Sequence, residues 1–219
     1  MSLNHSPQVV TDSLVLCLDS ANLKSYPGSG TTWTDLSSTN IGTLTSGPTY
    51  SSTNNGSILF DGVDDFVSVP NNAALQFTLA QSFSLSVWAK PAVLPSKWVG
   101  IVTKSRDTSN WYGIWINPDN NIVFGGGGDN FIGPAATTNW QNIVITKNDT
   151  TRYIYINGVL SLTTTATQAT NGSGAMYIGK GTSSECFNGN VSNVSIYNKL
   201  LSAAEVQQNF NALRGRYGI

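Results

Sequence analysis

Short runs of alternating apolar and polar residues, separated by turn residues, repeat along most of the chain. In 82–91 (SFSLSVWAKP), every second residue from Phe83 onward is apolar, the period-two pattern of a β-strand with one buried face. The run 151–163 is divided by Asn157-Gly158, a dipeptide that favours the two-residue turn of a β-hairpin. Similar runs predict further strands over 13–20, 56–60, 65–70, 98–105, 111–117, 121–125, 174–180 and 187–198.

One helix is predicted near the C-terminus. Ser202 and Glu205 are spaced as a capping box, which satisfies the first free amides of a helix. Apolar residues then recur at near-helical spacing, at Ala203, Val206, Phe210 and Leu213.

About a dozen short strands and one terminal helix predict an all-β fold, a sandwich of two antiparallel sheets. We expect a single domain over 13–219, preceded by a polar N-terminal arm over 1–12. The turn-rich stretch 26–40 is predicted to be a long loop anchored by Trp33 and Leu36.

The charge content is low and excludes several classes of partner. Only 11% of the 219 residues are charged, and the net charge is −1 without any basic cluster, so nucleic-acid binding is not expected. No apolar run approaches about 20 residues, and none follows Met1, so neither membrane insertion nor a secretory signal is expected. Cys17 lies in an apolar run and is predicted to be a buried free thiol, with a disulfide to Cys186 as the alternative.

Seven segments of the chain are, in order, LVLCLDS, TTWTDLSS, SILFDGVDDFVSVP, SFSLSVWAKP, NWQNIVITKNDTTRYIYINGVL, MYIGKG and FNGNVSNVSIYNKLLSAAEVQQNF. They resemble, in the same order, segments of laminin-G-like domains, which belong to the concanavalin A-like jelly rolls. The resemblance covers about 13–210 and implies a jelly-roll β-sandwich of the kind found in lectins, pentraxins and glucanases. The ending QQNFNALRGRYGI (207–219) is similar to such domains in structural proteins of tailed bacteriophages.

Catalytic patterns are not found in the sequence. Glucanases of this superfamily carry carboxylates on alternate residues of one strand, whereas Glu185 and Glu205 fall in a predicted turn and a predicted helix. His5, the one histidine, lies in the predicted arm, so no positioned base is expected for a nucleophile. We therefore predict a non-catalytic protein that requires no cofactor.

The stretch FDGVDDFVSVP (60–70) has two interpretations. As a structural corner, Asp61-Gly62 makes a tight turn of a hairpin, Phe60 and Phe66 enter the core, and Asp64 caps local amides. Alternatively, carboxylates this close together bind calcium. The ligands would then come from Asp61, Asp64 and Asp65.

The resemblance implies a second possible calcium site, on the sandwich rim. Laminin-G-like and pentraxin domains often hold calcium between two loops that correspond here to 105–110 and 179–186. Asp107 and Glu185 would be the anionic ligands, with Asn110 or carbonyls adding neutral oxygens. Two acids predict a weak site, and ordinary solvated loop residues are the alternative.

The strand 111–117 offers a sugar-binding platform. Trp111 and Trp115 share one strand face, while Tyr112, Ile114 and Ile116 share the other and resemble core residues. Sugars stack on exposed aromatic rings beside hydrogen-bonding side chains. The flanking polar candidates are Asp107, Asn110 and Asn117, further aromatic candidates are Trp98, Phe131 and Tyr153, and Trp88 and Trp140 are assigned to the core.

Burial of the two tryptophans within the fold or at an interface is the alternative to this platform. Together the residues and the resemblance predict a non-catalytic phage virion protein, a head decoration or a tail or fibre component. It would be made in the host cytoplasm without a signal peptide and would form a homo-oligomer among other virion proteins. Its partner would be a glycan or host-surface polysaccharide. The alternatives are a purely structural virion module and an accessory carbohydrate-binding domain of a glycan-processing system.

Overall fold

The computed structural model describes residues 7–108, 110–126, 129–167 and 170–219. His5 therefore lies outside the described residues, with the rest of 1–6. One α-helix, α1 (Ala203–Leu213), follows the strands, and 3-10 turns cover Thr53–Asn55, Ala73–Leu75 and Arg214–Arg216. Within the described ranges the strands are β1 (Leu14–Asp19), β2 (Thr32–Thr34), β3 (Ile41–Thr45), β4 (Thr49–Ser51), β5 (Ser57–Asp61), β6 (Phe66–Val69), β7 (Phe83–Pro91), β8 (Val99–Lys104), β9 (Tyr112–Ile116), β10 (Asn121–Gly126), β11 (Asp129–Ala135), β12 (Gln141–Asn148), β13 (Thr151–Ile156), β14 (Val159–Thr165), β15 (Met176–Ile178) and β16 (Asn188–Tyr197).

The strands form two antiparallel sheets of eight strands each. Sheet A has the order β14-β13-β12-β7-β16-β5-β4, and β1 also pairs with β16. Sheet B has the order β11-β10-β9-β8-β15-β6-β3-β2. The predicted β-sandwich with a C-terminal helix is confirmed.

The main hydrophobic core lies between the two sheets. Leu85 and Val87 of β7 point inward from sheet A, and Ile114 and Ile116 of β9 point inward from sheet B, all fully buried. The alternation seen in the sequence therefore separates core positions from outer-face positions on both strands.

Helix α1 covers the outer face of sheet A. The capping box is present, because Ser202 Oγ accepts from Glu205 N while Glu205 Oε2 accepts from Ser202 N. The predicted apolar face is correct except at its start, where Ala203 is exposed. Asn209 is buried instead and donates to the Tyr197 hydroxyl at 3.1 Å.

The predicted arm is attached to this layer over its described part. Val10 N donates to Asn209 Oδ1 at 2.7 Å, and Val9 and Val10 pack against the aromatic and aliphatic clusters beneath α1. Residues 7–12 thus contribute to the cover of sheet A.

Two local predictions have different outcomes. The hairpin at Asn157-Gly158 is confirmed, with φ of 51° and 81° at its two turn residues. Trp33 is fully buried as predicted, but Leu36 is 40% exposed, so it does not anchor the loop through its side chain. Its backbone does, since Leu36 N donates to Cys17 O at 2.9 Å.

Both cysteines are free and buried, so the disulfide alternative is wrong and the free-thiol prediction for Cys17 is confirmed. Burial, with a smaller effect of the nearby Asp19 charge, raises the pKa of the Cys17 thiol to about 11. Among the described residues, no helix has the length and apolar character needed to cross a membrane.

Candidate functional site

Two tryptophans lie on the outer face of sheet B, next to strand positions that are occupied by glycine. Trp115 of β9 lies opposite Gly100 of β8 and Val123 of β10. A Cβ atom at Gly125 would lie 2.5 Å from Trp111 Cζ3 and 3.1 Å from Trp115 Cζ3. The absence of a side chain at this glycine is what lets the indole rings lie against the sheet.

The two indoles form one aromatic pair. The Trp111 and Trp115 ring centroids are 5.0 Å apart with an interplanar angle of 71°. The prediction that they share the face opposite Tyr112 is confirmed, since Tyr112 lies in the main core. However, Trp111 is only 9% exposed and Trp115 only 2%, so they are not an open platform, and the burial alternative describes them better.

A guanidinium covers the pair. Arg106 lies in the turn after β8, and its Cζ is 4.7 Å from the Trp111 ring centroid and 5.9 Å from that of Trp115. Arginine commonly stacks on aromatic faces in this way, because its planar cation is weakly hydrated and is attracted to the negative face of the ring.

Glu185 fixes this arrangement from the opposite loop. Arg106 donates to it through Nη2 at 3.0 Å and through Nε at 3.3 Å, a two-point ion pair. Glu185 Oε2 also accepts from Trp115 Nε1 at 3.1 Å and from Thr182 N at 3.2 Å. Arg106 and Trp115, which precede Glu185 by 79 and 70 positions, thus meet at its carboxylate.

A cavity of about 190 Å³ opens beside this ion pair. Trp98, which is half-buried, packs against the tryptophan pair and forms one wall. Asn130 of β11 is exposed and faces the cavity from the edge of sheet B. The complete lining is Trp98, Arg106, Trp111, Trp115, Asn130 and Glu185.

A buried lysine holds the loop that bears Arg106. Lys104 Nζ donates to Ser105 Oγ and Gly172 O, both at 2.9 Å, and to Gly174 O. Gly172 N in turn donates to Asn110 O at 2.6 Å. Burial lowers the pKa of Lys104 to about 8, and its oxygen partners keep the ammonium in place.

The polar residues predicted to flank the tryptophans do not line this cavity. Asn117 is 2% exposed and closes the β9–β10 turn, where its Oδ1 accepts from Asn121 N. Asn110 is half-buried and uses its carbonyl to hold Gly172. Asp107 is exposed and lies beside Tyr177, where it adds to the effect of burial in raising the pKa of that phenol.

The structure supplies Arg106 and Asn130 in their place. The sequence contained one signal for the first, an arginine next to Asp107 in a loop already under consideration. It contained none for Asn130, which reaches the site only through the pairing of β10 with β11.

The acids of the two calcium hypotheses have different surroundings. Glu185 is engaged by Arg106, whereas Asp107 has a different neighbour in Tyr177. Among the described residues, three carboxylates come within 4.8 Å of one another, those of Asp61, Asp64 and Asp65.

The stretch around these acids is not a hairpin, because β5 belongs to sheet A and β6 to sheet B. It is a corner at which the chain crosses between the sheets. Phe60 is fully buried as predicted, but Phe66 is half-exposed and packs edge-on against Tyr177. Local amides are capped by Asp61, which accepts from Val63 N, and by Asp65, which accepts from Asp61 N, rather than by Asp64.

Comparison with known proteins gives a family and several similar folds. A family model described as the Concanavalin A-like lectin/glucanases superfamily matches residues 61–207. A Trypanosoma rangeli sialidase in complex with sialic acid is similar over 93% of this chain and 33% of its own, with a TM-score of 0.72 and 15% identity. Among curated protein sequences, none matches the chain.

Two further solved domains are similar in fold. The similarity to the binding domain of Paraclostridial Mosquitocidal Protein 1 spans 92% of this chain and 52% of that protein chain, with a TM-score of 0.75 and 18% identity. The second is domain 4 of AbnA, an extracellular arabinanase from Geobacillus stearothermophilus, solved in complex with arabinotriose. The similarity spans 90% of this chain and 98% of that domain, with a TM-score of 0.70 and 17% identity. The chain thus spans about a third of the sialidase and half of the toxin domain, and at these identities the likeness is one of fold.

Proposed function

Because the chain belongs to the concanavalin A-like lectin/glucanases superfamily, a fold that serves both binding and catalysis, we propose that it is a non-catalytic domain that binds glycans on the outer face of sheet B. The observation that carries this proposal is the cavity between Trp98, Arg106 and Asn130. On the outer face of sheet A, α1 and the residues after it pack on Trp88 and Trp140, whereas the cavity on sheet B is open to solvent.

The side chains around the cavity match the chemistry of a sugar. Trp98 is half-buried and lines the cavity, so it supplies a surface for the C–H groups of a pyranose or furanose. The cavity is smaller than the roughly 300 Å³ at which drug-sized pockets begin, which suits a single sugar residue at a chain end or branch.

The hydrogen-bonding capacity is also suitable. Arg106 has five N–H donors, of which two are used by Glu185, and the other three have no partner among the described residues. The Asn130 amide, also in the cavity lining, offers both a donor and an acceptor. Glu185 acts as a positioning residue, because it holds Arg106 over the tryptophans.

The carboxylates favour binding over hydrolysis. Glycosidases use two carboxyl groups on either side of the scissile bond. Glu185 is the one carboxylate among the described lining residues, and it is neutralised by Arg106. The proposal therefore assigns no acid or nucleophile to this site.

We propose the surface of a phage particle as the setting in which this domain acts, as a head decoration or tail component. The support is the resemblance of its C-terminal segment to domains of phage structural proteins and its Ser/Thr/Asn-rich composition of low charge content. With many copies on one particle, several sites would bind at once, so the overall affinity would be much higher than that of a single weak site. Mass spectrometry of purified particles tests this setting, and absence of the chain from them would contradict it.

A second candidate is an accessory carbohydrate-binding domain of a glycan-processing enzyme. The likeness to domain 4 of an arabinanase, which covers 98% of that domain, favours it. Both candidates use the same site, so they differ in setting and in the glycan bound.

A glycan array that includes arabino-oligosaccharides, sialylated glycans and bacterial surface polysaccharides tests the proposal, in calcium and again in EDTA. We expect binding to one glycan class. Loss of the binding signal in EDTA would indicate that glycan binding at this site depends on a divalent cation. Silence under both conditions, with folded protein, would contradict glycan binding and favour a purely structural virion module.

Two variants locate the site. Trp98→Ala is expected to weaken binding at least about fivefold, because it removes the accessible stacking surface. Tyr153→Ala is the matched control, since Tyr153 is a half-buried aromatic on the outer side of sheet A. Equal loss in both variants, or loss in neither, would place the glycan elsewhere.

A further inference from the structure

A second polar cavity, of about 180 Å³, lies on the outer face of sheet A. Its floor comes from neighbouring strands, because Lys90 of β7 pairs in register with Asn190 of β16. Both residues belong to the outer face, since the adjacent Ala89 and Val191 lie in the main core. The complete lining is Ser51, Thr53, Asn54, Ser57, Lys90, Trp140 and Asn190.

The turn between β4 and β5 forms a fixed wall of this cavity. Asn54 has a left-handed backbone with a φ of 57°, a conformation that asparagine adopts more readily than most residues. Its Oδ1 accepts from Trp140 Nε1 and its Nδ2 donates to Arg216 O, both at 3.0 Å. These two hydrogen bonds attach the turn to the start of β12 and to the C-terminal segment, so the cavity is already formed without a ligand.

The cavity lining carries a single charge, which is positive. Lys90 is half-buried, and its ammonium has neither an ion pair nor a hydrogen bond among the described residues. The described lining contains no carboxylate. Because an unpaired ammonium that is partly removed from water gains from an anionic partner, the cavity favours an anion.

The neutral groups of the lining identify the rest of the ligand. Asn190 Nδ2 donates to Ser57 Oγ at 3.1 Å, which leaves the Asn190 carbonyl oxygen as an acceptor. Ser51 and Thr53 add hydroxyl groups that both donate and accept. A sulfate ion can only accept hydrogen bonds and would leave the Asn190 oxygen unused, whereas a sugar supplies hydroxyl groups that can donate to it.

We propose that this cavity is a second saccharide site, which binds a sugar residue that bears a carboxylate, such as a uronic acid. Its carboxylate would pair with Lys90 and its hydroxyl groups with Asn190 and the Ser and Thr side chains. The cavity on sheet B has no such preference, because Glu185 neutralises Arg106 there. The second site lies on the other sheet and does not depend on the function proposed for the first.

An NMR titration of the indole N–H signals with sodium glucuronate tests this site, at constant ionic strength and up to about 50 mM because single sugars bind weakly. The Trp140 N–H is the reporter, since it donates to Asn54 in the cavity wall. We expect its signal to shift with glucuronate and to stay in place with glucose or acetate.

Three results would overturn the proposal in different ways. An absence of any Trp140 shift would show that the cavity takes no acidic sugar, and an equal shift with acetate would show that it takes a carboxylate without recognising a sugar. A shift of the Trp98 signal alone would assign the acidic sugar to the cavity on sheet B. That last result would leave the proposed function intact.

Two variants make the result specific to the charge. Lys90→Gln removes the ammonium, interrupts no contact of that ammonium among the described residues, and is expected to weaken glucuronate binding at least about fivefold. Lys24→Gln is the matched control, because Lys24 is an exposed lysine outside this lining, and it is expected to bind like the wild-type chain. Equal binding by Lys90→Gln and the wild-type chain would overturn the proposal.

Discussion

The two outer faces of the sandwich both carry tryptophans, but they cover them with different chemistry. On sheet A, Trp88 stacks on Tyr217 at 4.0 Å between ring centroids and on Phe210 at 5.7 Å. Trp140 joins the same cluster, 4.7 Å from Tyr217. The cover over Trp88 is apolar and aromatic, so it contributes mainly to stability, while Trp140 also borders a cavity of about 180 Å³.

On sheet B, the cover is a charged side chain. Arg106 lies over Trp111 and is held by Glu185, with a cavity beside it. A guanidinium in this position keeps N–H donors available to a ligand, which a phenylalanine ring cannot do. The comparison shows that the identity of the covering residue, rather than the presence of tryptophan, separates a structural cluster from a candidate binding site.

The largest expected effect is on the sheet A side. Trp88→Ala should reduce the free energy of unfolding by about 3–5 kcal/mol, because it removes a fully buried indole between two stacked rings. Urea denaturation measures this loss. Trp98→Ala is the comparison on sheet B and should cost about 1 kcal/mol or less, since Trp98 is half-buried. Similar losses for both variants would contradict the distinction between the faces.

A smaller effect is expected from adding a side chain at the glycine of sheet B that contacts the tryptophan pair. Gly125→Ala places a methyl group 2.5 Å from Trp111 Cζ3, so the indole pair has to move, at a cost of about 1–3 kcal/mol. Urea denaturation and tryptophan fluorescence report the two consequences together.

Gly215→Ala is the matched control for this substitution, because no atom lies within 4 Å of the added methyl group. It should leave both stability and fluorescence close to wild type. An unchanged fluorescence spectrum in Gly125→Ala would show that the pair does not rest on this glycine.

The smallest expected effect concerns the cap of α1. The hydrogen bond from Lys199 lowers the pKa of Glu205 below its ordinary 4.5, so the folded state favours the ionised form. This stabilisation is present above about pH 4.5 and is lost as the pH falls through the lower folded pKa. Glu205→Gln should cost about 0.5 kcal/mol at pH 7, a difference that narrows in acid. A difference that stays constant down to pH 3 would contradict this role.

Local patterns were sufficient to predict much of the architecture. The alternation in 111–116 placed Tyr112 in the core and both tryptophans on the other face, because side-chain direction in a strand follows from position alone. The capping box and the Asn157-Gly158 turn were predictable for the same reason, since each depends on residues a few positions apart.

The cover over the tryptophans could not be predicted in this way. It depends on Arg106 and Glu185, which are 79 residues apart and meet only after the sheets have formed. The corner at 60–66 was misassigned as a hairpin for a related reason. The sequence of this corner is equally compatible with a tight turn within one sheet and with a turn between two sheets. Only the pairing of β5 with β16 and of β6 with β15 distinguishes the two arrangements.

The most direct test of the distinction between the faces is an NMR titration of the six indole N–H signals in ¹⁵N-labelled protein. The ligand is the oligosaccharide that gives the strongest signal on the glycan array. We expect the signals of Trp98, Trp111 and Trp115 to shift, while those of Trp88 and Trp140 stay in place. Shifts confined to Trp88 and Trp140, or no shift in any indole signal at saturating ligand, would contradict the assignment of the binding face to sheet B.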